Sequence, residues 1–482
     1  MNPIAQWFQQ RRVRRAKNTT EADLKGKPYL YREMRKLLGE TWHPPPARIL
    51  ELGLILVHNP DPAVRALAIQ ALVESKAPGI EIHLLPAVKD PVPAMRRGAI
   101  DGLAAIRRGD FSNHLIPALQ DADDAVRAAA ATALAVGGAE CVPHLVTALN
   151  DPVPLVRANA VSALGTLGKY ADERVVDAII QMLPREESPS SRAKAAAALS
   201  RMLESPAAGY LSDTVSKLLS QPDAPREMRE VSADVLGRIA RPECVAPLRV
   251  ALSDPELQVR FRALESLGKL AAFADPGMAD DLLRVLRAEC DKDARWSAMS
   301  AMKKLRETPV AGYLAERLTG LIFHNQETED TRVAAIFVLA HVAGAGSLPE
   351  LERLSGTGPA RLRSAVASGL GEIKGERSVA MLRRLAADRD AAVKDAALRS
   401  LKNHDVPLCR RCGTVADRLF GFTKEPVCLA CYSKPGVCQS CGKNVGSDAA
   451  LIKIGAGKNC RECNVRLDQV VSGGFRTSTR IR

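Results

Sequence analysis

Aromatic residues are scarce in this chain, where Phe, Trp and Tyr together make up 4% of 482 residues. Apolar residues nevertheless make up 46%, mostly Ala, Leu and Val, which predicts helices that cross on small side chains. No run of about 18 apolar residues occurs, so we predict no membrane-spanning helix. The basic residues near the first methionine are not followed by an apolar segment, so we predict no secretory signal and expect a cytoplasmic location.

An excess of positive charge is missing from the middle of the chain. The net charge is +13, but residues 1–40 carry +6 and residues 404–482 carry +7, so the middle is neutral. A neutral segment is not expected to attract nucleic acid through its net charge, whereas the two basic ends could.

The chain does contain one motif that is repeated eleven times, an acidic or polar residue followed six positions later by a basic one. We call the basic residue the repeat arginine; it occurs at Arg65, Arg96, Arg127, Arg157, Arg192, Arg229, Arg260, Arg295, Arg332, Arg363 and Lys394. We call its partner the repeat acid; it occurs at Asn59, Asp90, Asp121, Asp151, Glu186, Asp223, Asp254, Glu289, Gln326, Thr357 and Asp388. The copies are 30 to 37 residues apart, and a fixed period in this range predicts a solenoid.

Each copy has the pattern of a helix pair. In the fourth copy an apolar stripe at Val142, Leu145, Val146 and Leu149 predicts the first helix. We expect Asp151 to cap the second helix, with Pro152 in its first turn. Val156, Ala160, Leu164 and Leu167 share one side of that helix, and Gly168 is expected to end it in a left-handed turn.

This pattern, L-x-x-A-L-x-D-P-x-x-x-V-R-x-x-A-x-x-A-L-G, resembles the HEAT repeat in its short form, the phycobilisome lyase HEAT-like repeat. The resemblance covers residues 47–403 and implies an all-α fold, a right-handed α-α superhelix of about eleven helix pairs. It also implies a ladder of hydrogen bonds between acid and arginine, weakened where Gln326 and Thr357 replace the acid. The pairs that the family pattern places in the ladder are Asp90/Arg96, Asp121/Arg127, Asp151/Arg157, Asp223/Arg229 and Asp254/Arg260.

A longer period lies over the repeats. Arg157, Arg192 and Arg229 each recur 103 residues later, and Ala208-Gly-Tyr-Leu recurs as Ala311-Gly-Tyr-Leu. We infer a duplicated module of three repeats, residues 151–253 and 254–356. Longer turns on one edge of such a module are common binding elements.

We predict two segments before the repeats. Residues 1–28 form a basic arm in which Ile4, Trp7 and Phe8 have helical spacing and arginines follow. Such an arm either binds an anionic membrane surface or nucleic acid, or packs its aromatic side chains on the first repeat, which is the reading we favour. Residues 29–46 read as a capping helix and a proline-rich entry to the array.

Isolated histidines and cysteines within the repeats are expected to be structural. His83, His114 and His144 occupy the same place in consecutive copies, but neighbouring helices lie about 8–10 Å apart, too far to share one metal ion. We therefore expect a partly exposed column. Cys141, Cys244 and Cys290 are each expected to pack as small core residues.

The strongest chemical signal follows the repeats, where eight cysteines form four C-x-x-C pairs. Two residues between thiolates allow both to bind one ion, and two such pairs complete a tetrahedral zinc site. We therefore predict two structural Zn²⁺ ions in a domain over residues 404–470, with residues 471–482 as a loose basic tail. The predicted ligands are Cys409, Cys412, Cys428, Cys431, Cys438, Cys441, Cys460 and Cys463.

Sequential pairing of these cysteines resembles tandem zinc ribbons or a LIM-like unit, with cross-braced pairing as the alternative. Iron would use the same thiolates, so spacing does not distinguish it from zinc. Because each predicted site is filled by four thiolates, no open position is left for water or substrate. Disulfide bonds are disfavoured by the expected reducing compartment.

Catalytic motifs are not found in the repeats. None of the eight histidines is followed by Glu, which disagrees with HEAT-repeat di-iron hydroxylases. The neutral, aromatic-poor middle disagrees with HEAT-like DNA glycosylases. No catalytic or organic cofactor-binding residues are therefore predicted, although the bilin lyases that carry similar repeats have no short motif to test.

These observations predict a non-catalytic scaffold that binds a protein partner along its solenoid and uses the zinc domain as a second interaction module. The alternative is a protein that binds nucleic acid through its basic ends and zinc fingers. A third reading is an enzyme of the bilin-lyase type. The sequence does not predict the partner's identity or the oligomeric state.

Overall fold

A computed structural model describes residues 46–106, 111–404 and 406, the strand residues 452–454 and 457–459, and residues 14, 17, 18 and 20. Two compact units divide the chain, unit 1 at Met1–Leu270 and unit 2 at Ala271–Arg482. The region that carries the repeats is helical throughout in the part that is described. This agrees with the predicted all-α repeat fold.

Unit 1 contains seven helix pairs in its described part. In chain order the pairs are α1 (Pro46–His58) and α2 (Pro62–Ser75), α3 (Glu81–Leu84) and α4 (Pro93–Ile106), α5 (Ser112–Leu115) and α6 (Asp124–Ala133), α7 (Val142–Ala148) and α8 (Pro154–Thr166), α9 (Glu173–Met182) and α10 (Pro189–Ser200), α11 (Ala208–Leu219) and α12 (Arg226–Ile239), and α13 (Val245–Ala251) and α14 (Leu257–Lys269). The short helices α3 and α5 continue as 3₁₀ turns, Leu85–Lys89 and Ile116–Gln120.

Unit 2 contains four helix pairs and one β-hairpin among its described residues. The pairs are α15 (Pro276–Ala288) and α16 (Lys292–Lys303), α17 (Ala311–Phe323) and α18 (Glu329–Ala343), α19 (Leu348–Thr357) and α20 (Ala360–Leu370), and α21 (Glu376–Leu385) and α22 (Ala391–Lys402). The hairpin joins β1 (Ile452–Ile454) to β2 (Gly457–Asn459) in antiparallel register, with Lys453 opposite Lys458.

Small residues let the second helices of neighbouring pairs lie close together, as the composition predicted. Gly165 of α8 faces Ala198 of α10 so closely that an added Cβ would lie 2.8 Å from the Ala198 Cβ. Gly237 of α12 faces Ser266 of α14 in the same way. Because real side-chain carbons do not approach this closely, these crossings require glycine.

The apolar stripe of the fourth pair is confirmed, but both of its predicted helix ends are wrong. Val156, Ala160 and Leu164 are buried. Helix α8 begins at Pro154 with Val153 as its N-cap, because the Asp151 carboxylate accepts a hydrogen bond from the Val153 N–H at 2.8 Å and forms the preceding turn instead.

The end of α8 differs from the expectation for a different reason. Its C-cap is Leu167 with φ −85, and the chain continues into a 3₁₀ turn at Gly168–Tyr170 rather than a left-handed turn. A Cβ on Gly168 would lie 2.8 Å from the carbonyl oxygen of Arg201. Glycine is therefore needed here for close packing, not for a positive φ.

One helical stretch of unit 2, Glu329–Thr357, is long and apolar enough to cross a membrane by length and composition alone. It is not one straight helix, because Gly344 adopts φ +52 between α18 and α19. Half of its most apolar window is buried inside the structure. These features are those of a helix pair in a protein core. Buried core helices can be as long and as apolar as membrane-spanning ones.

Candidate partner-binding surface

Repeat arginines bind the acid of the following repeat rather than the acid of their own repeat. Arg65 donates from Nε and Nη2 to the two carboxylate oxygens of Asp90, both at 3.0 Å. This bidentate geometry uses the fork of the guanidinium, so it orients as well as attracts. The same arrangement joins Arg96 to Asp121, Arg127 to Asp151 and Arg229 to Asp254 in unit 1, and Arg363 to Asp388 in unit 2.

The pairs predicted within one repeat are therefore corrected. Their contact is with the backbone, since Nη1 of Arg96 donates to the carbonyl oxygen of Asp90 at 2.9 Å. The guanidinium has five N–H donors, enough to donate both to the carboxylate of the next repeat and to the backbone carbonyl of its own repeat. Three further predicted pairs behave in this way: Asp121/Arg127, Asp151/Arg157 and Asp254/Arg260.

The pair Asp223/Arg229 is also wrong. Arg229 donates to the carbonyl oxygen of Pro222 at 3.0 Å and also to that of Ala224. The repeat arginine of the preceding copy, Arg192, does not pair with Asp223 either. Its Nε lies 2.9 Å from a carboxylate oxygen of Glu230, on α12, but without the alignment of a hydrogen bond.

The ladder weakens in unit 2, as the replacement of the acid by Gln326 and Thr357 predicted. Arg295 donates to the carbonyl oxygen of Glu289 at 3.1 Å and reaches the exposed Asp330 only at 3.8 Å. Arg332 donates to the carbonyl oxygen of Ile322 at 2.7 Å. Carboxylate pairing resumes at Arg363, so the weak part covers the first two links within unit 2, those made by Arg295 and Arg332.

The arginine ladder lowers the pKa of Asp121 and Asp388, two of the acids that it binds. Hydrogen bonds from Arg363 hold the pKa of Asp388 at about 2, and Arg96 lowers the pKa of Asp121 in the same way. A carboxylate that is stabilised in its charged form resists protonation. Asp121 and Asp388 are thus ionised at neutral pH, and their role in the ladder is structural.

The outward-facing side of the second helices in unit 1 carries a lattice of ion pairs. Glu230 of α12 is 3% exposed, with Arg192 on one side and Arg262 Nε at 3.5 Å on the other. One turn further along α12, Asp234 pairs with Arg238 at 3.1 Å and with Lys269 at 3.4 Å. Its charges are paired across the helices, although Arg192 Nε and Glu230 Oε2 make no hydrogen bond.

Unit 2 presents apolar side chains on the corresponding face. Trp296 of α16 is 65% exposed. Val333 and Phe337 of α18, both half-buried, form one wall of a groove of about 410 Å³ that continues across α20 to the start of α22. An exposed aromatic residue and an apolar groove, carried here by two neighbouring helices, are each typical of a contact surface.

Sequence reasoning did not find Trp296, Val333 or Phe337. A signal existed, since Val333 and Phe337 occupy positions where the copy 103 residues earlier has Glu230 and Asp234. Periodicity identifies the buried face of each helix, because that face is the same in every copy. The exposed face varies between copies, and only a position-by-position comparison of the copies reveals it.

The histidine column lies as predicted, with His83 half-buried and His114 and His144 exposed. Burial lowers the pKa of His83, which favours the neutral ring. No group of three or more potential ligands capable of holding a metal ion is found among the described residues.

Two of the three isolated cysteines are buried as predicted, namely Cys141 and Cys244. The prediction is wrong for Cys290, which is exposed because it lies in the turn between α15 and α16. The eight cysteines of the predicted zinc domain lie outside the described residues, as do nearly all of the N-terminal arm and the capping helix. In the sequence, Cys460 directly follows β2.

Comparison with known families identifies the repeats. The family described as HEAT repeats matches residues 49–135, 112–200, 142–217, 212–303 and 318–402, which together exceed half of the chain. A search of curated proteins for similar sequences finds no match.

Solved structures with a similar fold include Kap121p bound to Ste12p, at 14% identity and a TM-score of 0.55, covering 84% of this chain and 49% of that one. Kap121p bound to Pho4p is similar at 15% identity and a TM-score of 0.54, over 82% and 49%. The karyopherin Kap121p bound to the SUMO protease Ulp1p gives 15% and 0.53, over 77% and 46%.

This chain therefore spans about half the length of those chains, and at such identities the likeness extends to the fold alone. The helix pairs, the arginine ladder and the family matches agree with one another. Together they show that the chain belongs to the HEAT-repeat family.

Proposed function

We propose that this protein is a non-catalytic scaffold that binds a protein partner along the exposed faces of its second helices. The observation that carries the proposal is the surface of unit 2, where Trp296 of α16 is 65% exposed and Val333 and Phe337 of the neighbouring helix α18 line a groove. An exposed aromatic side chain of this kind is a favourable anchor for a partner. The Kap121p structures with this fold contain bound proteins, which is consistent with such a use.

The zinc domain serves in this proposal as a second contact, with two Zn²⁺ held by the eight cysteines of residues 404–470. The β-hairpin β1–β2, which ends directly before Cys460 in sequence, supports a ribbon-like arrangement of the last C-x-x-C pair. Two linked contacts raise affinity through effective concentration. The proposed location is the cytoplasm.

The proposed domain organisation follows the same lines. The basic arm is residues 1–28, the capping helix and entry 29–46, the solenoid 47–403, the zinc domain 404–470 and the basic tail 471–482. We further propose that residues 151–253 and 254–356 are duplicated modules. For the arm, contact with the first repeat is supported by the Asn59 side chain, whose Nδ2 lies 3.5 Å from the carbonyl oxygen of Lys17.

Affinity purification of the full chain from its own cells, with and without nuclease, tests the scaffold. We expect a stable set of proteins that survives nuclease and that is reduced by Trp296→Ala. Val250→Ala is the matched control, because Val250 is 63% exposed but lies on a first helix, α13, in unit 1. Partners that survive nuclease but are lost equally from both variants would contradict the proposed surface.

Nucleic-acid binding is the second candidate function, and the observation that favours it is the confinement of excess positive charge to the two ends of the sequence. It predicts partners that disappear after nuclease treatment and an affinity that falls steeply with salt. A bilin-lyase-type enzyme is the third candidate, and it requires a bound chromophore or a covalent adduct in the purified protein.

A further inference from the structure

The groove in unit 2 is large enough to hold a side chain of a ligand. Its volume is about 410 Å³, within the range of roughly 300–1,000 Å³ typical of ligand sites. Its walls are mainly apolar or small: Val333 and Phe337 from α18, Ala360, Ser364, Ala365 and Ser368 from α20, and Ala392 from α22. An occupant must therefore present an apolar group to this floor.

The groove is open because long charged side chains are replaced at its walls. In unit 1 the equivalent space between α12 and α14 contains Glu230 and the guanidinium of Arg262, 3.5 Å apart. The residues 103 positions later, Val333 and Ala365, are uncharged and too short to bridge α18 and α20. The same part of the repeat is thus closed by ion pairs in unit 1 and left open and apolar in unit 2.

The rim of the groove has an excess of negative charge. Arg361 pairs with both Glu329 and Asp330, so one cation is shared by two carboxylates. Asp390 lies at the far end, where its carboxylate caps α22 by accepting from the N–H of Ala392 at 2.9 Å. Arg295 also lies 3.8 Å from Asp330, so the rim has three acids and two arginines. The remaining single negative charge favours an occupant that carries positive charge next to its apolar group.

The chain itself contains a segment with this chemistry. Residues 471–482 read Val-Ser-Gly-Gly-Phe-Arg-Thr-Ser-Thr-Arg-Ile-Arg, with one aromatic residue, Phe475, followed directly by Arg476. The segment has three arginines and no acid. It follows α22 in sequence, and the chain between Asn403 and Phe475 is far longer than the roughly 18 Å length of α22.

We propose that residues 471–482 bind in the groove formed by α18, α20 and α22, with the Phe475 side chain on the apolar floor and the arginines at the acidic rim. The segment then covers part of the surface offered to a partner. This inference does not depend on the scaffold function, because it concerns a contact within one chain that is measured on purified protein.

Binding of a peptide to the full chain tests the proposal. The probe is a fluorescein-labelled peptide of residues 469–482, and the receptor is the full chain carrying Phe475→Ala, whose own segment is weakened. We expect saturable binding by fluorescence anisotropy. Binding to the wild-type chain is expected to be about tenfold weaker, because its own Phe475 occupies the groove. A peptide carrying Phe475→Ala should bind at least about tenfold more weakly, from the loss of one buried aromatic side chain.

Variants of the groove locate the contact. Val333→Glu combined with Ala365→Arg restores the residue pair of unit 1, fills the groove, and is expected to weaken binding more than about tenfold. Since this double change alters a buried position, Glu329→Lys provides a second test at an exposed one, with an expected loss of about two- to fivefold. Its matched control is Glu316→Lys, the same charge change on α17 outside the groove, expected to change affinity less than about twofold.

Each outcome of these binding measurements either supports or overturns the proposal. Binding that requires Phe475 in the peptide and is weakened by both groove variants supports the proposal. Absence of binding to the Phe475→Ala chain at millimolar peptide overturns it, as does binding that is the same for the peptide without Phe475. Binding that neither groove variant alters shows that the segment binds elsewhere and also overturns it. Each result leaves the scaffold function to its own test by affinity purification.

Discussion

The phenolic oxygen of Tyr210 lies 2.7 Å from Oδ1 of Asp177, and the same contact recurs 103 residues later between Tyr313 and Asp280 at 2.8 Å. The surrounding turns match as well, since Asp172 and Asp275 each cap the helix that carries the acid. A shared side-chain contact at the same spacing supports the proposal that residues 151–253 and 254–356 are duplicated modules.

The Tyr–Asp contact predicts a pH-dependent signal. Its hydrogen bond to Asp177 raises the pKa of Tyr210, and Asp280 does the same for Tyr313, because a nearby carboxylate disfavours the phenolate. Asp177→Asn should lower the pKa of Tyr210 towards the ordinary value of about 10. Ultraviolet titration of phenolate absorbance measures this, and Tyr210→Phe identifies the signal. An unchanged titration in Asp177→Asn would exclude the contact in solution.

A second prediction concerns the strength of the ladder. Arg157 Nε lies 2.5 Å from an oxygen of Glu186, whose side chain is 2% exposed. Arg157→Ala leaves that buried charge unpaired and should lower the free energy of unfolding by about 3–5 kcal/mol. Arg295→Ala is the control in the weak part of the ladder and should cost about 1 kcal/mol or less, because its acid is half exposed. Urea unfolding followed by circular dichroism compares them; equal losses would contradict the ranking.

A third prediction concerns acid stability. Asp388 has a pKa of about 2 in the folded state, held there first by the hydrogen bonds from Arg363, against about 3.9 in an unfolded chain. A lowered folded pKa contributes stability that is present above about pH 4 and is lost as the pH falls towards 2. The stability difference between wild type and Asp388→Asn should therefore shrink over this window. Urea titrations at pH 5, 4, 3 and 2 measure it, and a constant difference would refute the assignment.

A fourth prediction uses two glycines in helices of unit 1. A Cβ on Gly165 would lie 2.7 Å from the Ala198 Cα, so Gly165→Ala must push α8 and α10 apart and should cost about 1–3 kcal/mol. Gly209, in α11, has nothing within 4 Å of an added Cβ. Gly209→Ala should instead stabilise by about 0.4–1 kcal/mol through the unfolded state. Thermal or urea unfolding distinguishes the two, and the same sign for both would show that crossing distance is not the cause.

A fifth prediction concerns the metal. The purified full chain should contain two metal ions by inductively coupled plasma mass spectrometry, with zinc as the expected element. Cys409→Ser should remove one of the two and leave the helical circular dichroism signal of the repeats unchanged. A metal content of one or none in the wild-type chain would contradict the pairing of eight cysteines into two sites.

Much of the repeat fold could be predicted from the sequence, because each copy must bury the same face against its neighbours. The buried stripe at Val156, Ala160 and Leu164 is an example. Helix boundaries were less predictable, since an aspartate can either cap a helix or form the turn before it. Asp151 forms the turn, whereas Asp390 caps α22.

The direction of the ladder could not be derived from the period of the sequence. The repeat pattern places one acid six residues before each arginine and another in the next copy, and only the offset between stacked helix pairs selects one. In the structure Arg65 reaches forward to the Asp90 carboxylate and backward only to backbone, the carbonyl oxygens of Asn59 and Pro60. The candidate surface was missed for a related reason, because Trp296 and Phe337 depart from the pattern rather than repeat it.

The weak part of the ladder at Arg295 and Arg332 has a mechanical consequence. A stack of repeats resists bending and stretching only through the links between neighbours, because each repeat contacts few others. Where bidentate carboxylate links give way to bonds with carbonyl oxygens, the stack is softest. Under a pulling force unit 2 would yield first beside α16, so its elasticity is concentrated next to the exposed side chain of Trp296.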